Sequence, residues 1–270
     1  MSDAGELAVG PAWLFCPADR PERYAKAAAA ADVVILDLED AVGSADKNAA
    51  RQALIDTPQD PARTVVRVNA TDSPHHALDL EALGQTAYQH LMLAKAESPW
   101  QIAALAPRRV IGLIETPRGA VYTREIAGEA NTYGLMWGAE DLVAGLGGAS
   151  SRDEHGEYRQ VAQHVRSTVL LAAKAFDRLA LDAVHLDIAD LAGQRAEALD
   201  AVGVGFDASV CIHPSQVAEV RAAYRPSEEE VDWARRVLAA AEGERGVFAF
   251  EGTMVDAPVL RHAEAVLRRA

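Results

Sequence analysis

Short runs of β-branched and other apolar residues recur along the chain, each separated from the next by enough residues for a helix. They occur at WLFCP (13–17), VVILDLE (33–39), TVVRVN (64–69), HLMLAK (90–95), VIGLIE (110–115), TYGLMWG (132–138), AVHLDI (183–188) and SVCIHP (209–214). Between them lie segments rich in Ala, Leu, Glu and Arg with helical periodicity, among them PERYAKAAAAA, DKNAARQAL, SPWQIAALA and VAQHVRSTVLLAAKAF. Eight strands, most followed by a helix, in a chain of 270 residues predict an α/β fold. A closed parallel (β/α)8 TIM barrel fits this count, with a doubly wound open sheet as the alternative. The barrel is favoured by its polar residues, because a βα barrel builds its active site from the C-terminal ends of its strands. Those ends carry Asp37 and Glu39, Arg67 and Asn69, Lys95 and Glu97, Glu115, Glu140 and Asp141, Asp187, and His213.

The pattern predicts a barrel over residues 1–222 and a C-terminal helical extension over 223–270, which exceeds what an eighth unit needs. Ser227 followed by Glu228, Glu229 and Glu230 reads as a helix start, with Ser227 as the cap and the acids suiting the helix dipole. A Gly-containing segment then leads into a final helix. The extension is read as a capping element, a lid, or an arm packing on a neighbouring subunit.

Half of the residues are apolar, enough for a large core, and the formal net charge is −14. Such an acidic chain disfavours nonspecific binding to nucleic acid or to an anionic membrane face. The N-terminal MSDAGELAVGPAW places acids where a secretory leader needs basic residues, and no apolar run is long enough to span a bilayer. A cytoplasmic location is therefore expected. Cys16 and Cys211 have no metal-binding spacing and read as buried thiols.

Glu115 and Asp141 close two neighbouring strand regions. Two carboxylates so placed form a half-shell for a hard cation, with the remaining positions left to water and substrate oxygens. Mg2+ suits that best, since it prefers oxygen ligands at about 2.0–2.1 Å and keeps several waters. Gly138 and its neighbours in GLMWGAEDLVAGLGG would let backbone amides approach a bound oxyanion. Arg67 is either a bidentate partner for a substrate carboxylate or enolate, or a structural partner of the rim acids.

The motifs LFCPADRPERYAKA, VVILDLEDAVGSADKNAAR, VVRVN, LAKAE, IGLIETPRGA, GLMWGAEDLVAGLG, CIHPSQV and FEGTMVDAPV span nearly the whole chain. In that order they resemble the citrate lyase β-subunit-like (CitE-like) proteins of the HpcH/HpaI aldolase superfamily. The chain departs from the family pattern at Ala18, Ala94 and Ser209. The resemblance implies a trimeric or hexameric barrel that binds Mg2+ and breaks or forms a C–C bond next to an acyl thioester. Glu115 and Asp141 would then be the metal ligands. Arg67 would contact the oxo acid or enolate, and Arg20, Arg23 and Lys26 would hold coenzyme A. Asp256, from a neighbouring subunit's arm, would be the catalytic acid/base. Arg67 and the Gly138, Ala139 and Glu140 segment through Asp141 would stabilise developing negative charge.

Three activities fit these residues. The first is a lyase acting on a citramalyl-, malyl- or hydroxymethylglutaryl-coenzyme A type of thioester. The second is a citrate lyase β subunit whose thioester rides on an acyl carrier protein. The third is a class II aldolase acting on free pyruvate. A Schiff base at Lys95 is a mechanistic outsider. His213, before a proline, is expected to order its turn. In VVILDLEDAV, alternation puts Asp37 and Glu39 on one face, with Asp40 starting the loop. These three acids are expected to support the site indirectly, by holding the metal's waters or orienting Arg67 and Lys95.

Overall fold

The computed structural model describes residue 7, residues 10–244 and residues 246–270. Residues 1–6, 8, 9 and 245 lie outside that description, and with them most of the acidic N-terminal stretch read above for a leader. Two compact units divide at Val220/Arg221.

In the first unit, eight parallel strands close into a barrel in chain order: β1 (Ala12–Pro17), β2 (Val33–Asp37), β3 (Thr64–Val68), β4 (His90–Leu93), β5 (Arg109–Ile114), β6 (Thr132–Trp137), β7 (Leu179–Asp182) and β8 (Ala208–Cys211). β8 returns to β1 through Ala12↔Ser209, Trp13↔Val210 and Leu14↔Cys211. The fold is the (β/α)8 TIM barrel. Helices α1 (Tyr24–Ala30), α2 (Lys47–Asp56), α3 (His76–Leu83) and α4 (Pro99–Ala103) follow the first four strands. After β5 come α5 (Pro117–Val121) and α6 (Thr123–Ala127); after β6 come α7 (Ala139–Gly145) and α8 (Gln160–Ala175). The last two units add α9 (Leu191–Val204) and α10 (Pro214–Tyr224).

The strands are apolar almost throughout because both faces are covered, one by helices and one by the barrel interior. Trp13, Val33, Ile35, Val65, Met92, Ile111, Leu113, Met136, Leu181, Ala208 and Val210 pack together as one buried cluster. Strand alternation then carries the same inward parity upward. From Val33 and Ile35 it reaches Asp37; from Val65, Arg67; from Ile111 and Leu113, Glu115. The polar layer therefore sits directly above the apolar one.

The seventh strand corrects the pattern-based expectation. It is Leu179–Asp182, paired as Leu135↔Ala180 and Leu181↔Ala208, whereas residues 183–188 form no strand. LALD lacks β-branched residues, but both neighbouring strands supply backbone partners and Leu181 fills the core. In the AVHLDI run, Leu186 and Ile188 are exposed, and Asp187 lies in a loop, where it accepts the Ala189 amide. The second strand likewise stops at Asp37, which leaves Glu39 and Asp40 in the turn.

The second unit holds α11 (Glu228–Ala241), an antiparallel hairpin of β9 (Phe248–Phe250) and β10 (Thr253–Val255), and α12 (Ala257–Arg269). Its own small core contains Ala234, Val237, Val255, Ala263 and Val266. Ser227 caps α11 in a reciprocal box: its hydroxyl accepts the Glu230 amide at 3.1 Å, and its own amide donates to the Glu230 carboxylate at 2.7 Å. Among the described residues no helix is long and apolar enough to cross a membrane. Cys16 and Cys211 are both buried.

Candidate active site

Glu115 follows the last residue of β5, and Thr116 then caps α5 by accepting the Gly119 amide at 3.0 Å. This strand-to-helix turn fixes the carboxyl group at the barrel mouth. Gly138, at the end of β6, faces it: a Cβ there would lie 3.0 Å from both the Glu115 Cβ and Oε2. Glycine is thus what lets the Glu115 side chain fit against the next strand. Asp141 lies in the first turn of α7, where its charge suits the helix dipole, and its side chain is 41% exposed.

Lys95 ties these parts together. It follows β4 in the left-handed backbone region, with φ at 51°, a conformation that costs a non-glycine residue about 1–2 kcal/mol. Its amide donates to Glu115 Oε1 at 2.9 Å. Its ammonium donates to Glu39 Oε1 at 2.5 Å and lies 3.7 Å from both Asp40 and Asp141. Lysine pairs here with Glu39, rather than with Glu97 or Asp37 as its neighbours in sequence and strand order suggest. Burial works against its charge, but the Glu39 hydrogen bond and the surrounding acids outweigh it and push the Lys95 pKa up. A permanently protonated amine is a poor Schiff-base nucleophile.

Arg67 is held by the rim acids. Its Nε and Nη2 donate to the two Asp37 oxygens at 2.7 and 2.5 Å, Nη1 lies 3.3 Å from Glu39, and the guanidinium stacks over Phe15 at 4.7 Å. Asp37 also accepts the Glu39 and Ala41 amides at 2.8 and 3.0 Å, so it fixes the following turn as well as the arginine. The DLED acids thus contact Arg67 and Lys95 directly.

Glu115 is the group left without full compensation. Burial is the main cause that pushes its pKa up to about 8; Arg67 and Lys95 pull against it, and Asp141 adds repulsion. A buried carboxylate whose charge is this costly fits the ligand of a hard cation, which would restore its charged form. Asp141 supplies a second oxygen donor on the open side. Among the described residues no three His, Cys, Asp or Glu side chains form a closed metal cage. Glu115 and Asp141 would offer Mg2+ a two-carboxylate half-shell, with substrate and water completing the coordination.

The sequence profile of the HpcH/HpaI aldolase/citrate lyase family matches residues 12–214. The chain belongs to this family. The family is one of carbon–carbon lyases, and the chain is such an enzyme. It is 68% identical over 263 residues to a citrate lyase subunit beta-like protein of Mycobacterium tuberculosis, covering 97% of this chain and 96% of that one. It is 31% identical over 266 residues to the mitochondrial citramalyl-CoA lyase of Homo sapiens, covering 86% and 77%. A crystal structure of CitE from M. tuberculosis in complex with magnesium, acetoacetate and coenzyme A superposes with a TM-score of 0.93 at 68% identity, covering 97% of this chain and 98% of that one.

The remaining expected residues of this lyase lie as follows. Arg20 and Arg23 are exposed just beyond β1, with only loose contacts to Asp19 at 3.6 Å and Glu22 at 4.0 Å, and Lys26 is exposed on α1. Glu140 is exposed, and its carboxylate accepts the Ser151 hydroxyl at 2.5 Å. Ala139 is buried in the first turn of α7. Asp256 belongs to the second unit, where Oδ1 accepts the Val259 amide at 3.3 Å as the cap of α12. His213 orders its own turn, through contacts of Nδ1 with Ser215 at 2.7 Å and 3.2 Å.

Two buried groups escaped the sequence reading. Lys47, on α2, donates to the Leu38 and Glu39 carbonyls at 2.7 Å each and to Asn69 Oδ1 at 3.0 Å. Its pKa is lowered by burial, against the pull of Glu39 and Asp37. Asp182, at the end of β7, accepts the Trp137 indole N–H at 2.6 Å and a two-pronged contact from Arg166, with Nη2 at 2.7 Å. The one available signal for the first was the spacing of Lys47 and Arg51, which share a helix face in DKNAAR.

Proposed function

We propose that this enzyme is a Mg2+-dependent lyase that cleaves or forms a 3-hydroxyacyl-coenzyme A thioester, giving acetyl- or acyl-coenzyme A and an oxo acid. Citramalyl-, malyl- and hydroxymethylglutaryl-type thioesters are the substrate class. The observation that carries this reading is the buried, under-compensated Glu115 carboxyl beside Asp141 at the barrel mouth. The human relative named as a citramalyl-CoA lyase and the CitE complex with magnesium, acetoacetate and coenzyme A support it.

Glu115 and Asp141 would hold Mg2+, which as a Lewis acid lowers the energy of negative charge on the substrate's hydroxyl and carboxylate oxygens. In the cleavage direction the 3-hydroxyl gives its proton to solvent water, the C2–C3 bond breaks, and the electron pair passes to the thioester as an enolate. A proton must then be returned to C2. Asp256 is the proposed donor in cleavage and base in synthesis, reaching the site from a neighbouring subunit of a homotrimer or hexamer. Arg67, already aimed by Asp37, places positive charge where the oxo-acid or enolate oxygen develops. The Gly138 to Asp141 backbone is proposed to approach the same oxygens. Arg20, Arg23 and Lys26 form a local basic patch suited to the phosphates of coenzyme A despite the acidic net charge. Asp37 and Glu39 are proposed to fix the two cationic side chains, Arg67 on Asp37 and Lys95 on Glu39, with Asp40 beside the Lys95 ammonium.

The test is a screen of acyl-coenzyme A thioesters with Mg2+, reading oxo-acid release. Turnover that persists in EDTA sinks the metal-dependent reading. Turnover only with an added acyl carrier protein would favour the citrate lyase β-subunit role. A free-pyruvate aldolase would keep its activity in Asp256→Asn, and borohydride trapping with substrate would reveal a Lys95 imine.

A further inference from the structure

Lys47 lies on a helix outside the barrel mouth, is 6% exposed, and has no substrate-facing role in the scheme above. Its three hydrogen-bond acceptors are all neutral: the carbonyls of Leu38 and Glu39 and the side-chain oxygen of Asn69. An ammonium buried on carbonyls is expensive, because it gives up hydration without a direct ionic partner. It holds the backbone on either side of the Glu39 Cα, and Glu39 is the residue whose carboxylate grips Lys95 Nζ at 2.5 Å. The grip is reinforced from behind. Asn69 donates to the Leu38 carbonyl at 2.9 Å and to Asp79 at 2.6 Å, and Arg51, one helical turn after Lys47, donates to Asp79 at 2.8 Å.

We propose that Lys47 is a positioning residue: by clamping the Leu38 and Glu39 carbonyls it aims the Glu39 carboxylate at Lys95 and Arg67. It thereby keeps the Lys95 ammonium beside Asp40 and Asp141 and the Lys95 amide on Glu115. The inference about metal binding rests on the proposed function; the clamp itself does not. A lysine suits the task because three N–H donors radiate from one small centre, whereas the flat guanidinium of arginine cannot meet three acceptors so arranged. Without it, two buried carbonyls lose a donor and the turn from Leu38 to Ala41 loses its anchor on α2.

The experiment compares wild type with Lys47→Met, Lys47→Gln and Leu54→Ala. Leu54 is fully buried on the same helix and serves as the control for general loosening. Thermal melts first establish that each variant folds; Lys47→Gln, which keeps a donor, serves where Lys47→Met does not. Hydrogen exchange of the 37–42 segment is the readout that needs neither metal nor substrate. Both Lys47 variants should exchange there at least tenfold faster than wild type, with Leu54→Ala within about threefold. Titration with MgCl2 alone should then show at least tenfold weaker binding for the Lys47 variants, and turnover should show a loss in kcat with little change in thioester KM. Exchange of the segment unchanged in the Lys47 variants, or raised equally in Leu54→Ala, overturns the clamp. Faster exchange with unaltered Mg2+ affinity overturns its link to the metal site. A wild type that binds no Mg2+ and cleaves no thioester refutes the proposed function, while the exchange result still decides the clamp.

Discussion

Glu115 and His90 show two ways in which burial burdens a titratable side chain. For Glu115 the proposed remedy is a cation. Glu115→Gln and Asp141→Asn are expected to lower turnover at least a thousandfold while leaving the melting temperature within a few degrees, measured by oxo-acid release and by thermal denaturation. His90 begins β4 at 1% exposure, edge-on to Tyr133 with ring centroids 4.8 Å apart, and its two nitrogens meet no hydrogen-bond partner among the described residues. Burial, helped by the charge of Arg109, pushes its pKa down to about 4. Its folded pKa is below the ordinary value, so the unfolded chain takes up a proton that the folded chain refuses. Stability conferred by neutral His90 is therefore present above about pH 6.5 and is lost as pH falls toward 4, by up to about 3 kcal/mol. Denaturant unfolding from pH 7 to pH 4.5 should show this slope, and His90→Phe should flatten it. Glu115 and Asp141 stood out in the sequence as candidate ligands because acids at barrel strand ends have few structural reasons to be there. Lys47 was not, because a lysine on an amphipathic helix looks the same in sequence whether it is solvated or buried on carbonyls.

Among the elements, β7 was the hardest to read. Strand propensity favoured residues 183–188, yet hydrogen-bond partners from β6 and β8 select Leu179–Asp182. Edge-free closure outweighs propensity, because a barrel strand gains a ladder on each side whatever its branching. That shift makes Asp182 the residue that seals the rim between β6, β7 and α8. Asp182→Ala would leave the Trp137 indole without its acceptor and the Arg166 guanidinium with Asp200 alone. It is expected to destabilise the first unit by about 3–5 kcal/mol in urea unfolding, far more than an average surface substitution. Asp187, expected at a strand end, is a turn residue in the same loop, and Asp187→Ala should change stability by less than about 1 kcal/mol.

For the whole molecule, the decisive question is where Asp256 acts. It caps α12 through a 3.3 Å contact, a role that a helix start in any unit could require. If it serves a neighbouring subunit's site, Asp256→Asn and Glu115→Gln are each inactive alone, but coexpressed subunits recover activity, since one supplies the ligand set and the other the acid/base. Oxo-acid release by the purified mixed oligomer measures this, and the absence of recovery would place Asp256 in its own subunit's site or outside catalysis. The sequence by itself determined the strand–helix alternation that fits a barrel, the strand-end positions of Asp37, Arg67 and Glu115, and the Ser227 cap, because each follows from relations between residues a few positions apart. It also determined the family, through motifs in order along the chain. The tertiary structure alone decided which charges meet: Arg67 with Asp37 across 30 residues, Lys95 with Glu39 across 56, and Trp137 with Asp182 across 45. Those pairings depend on barrel closure and register, which bring distant strand ends onto one rim where burial makes every unpaired charge costly.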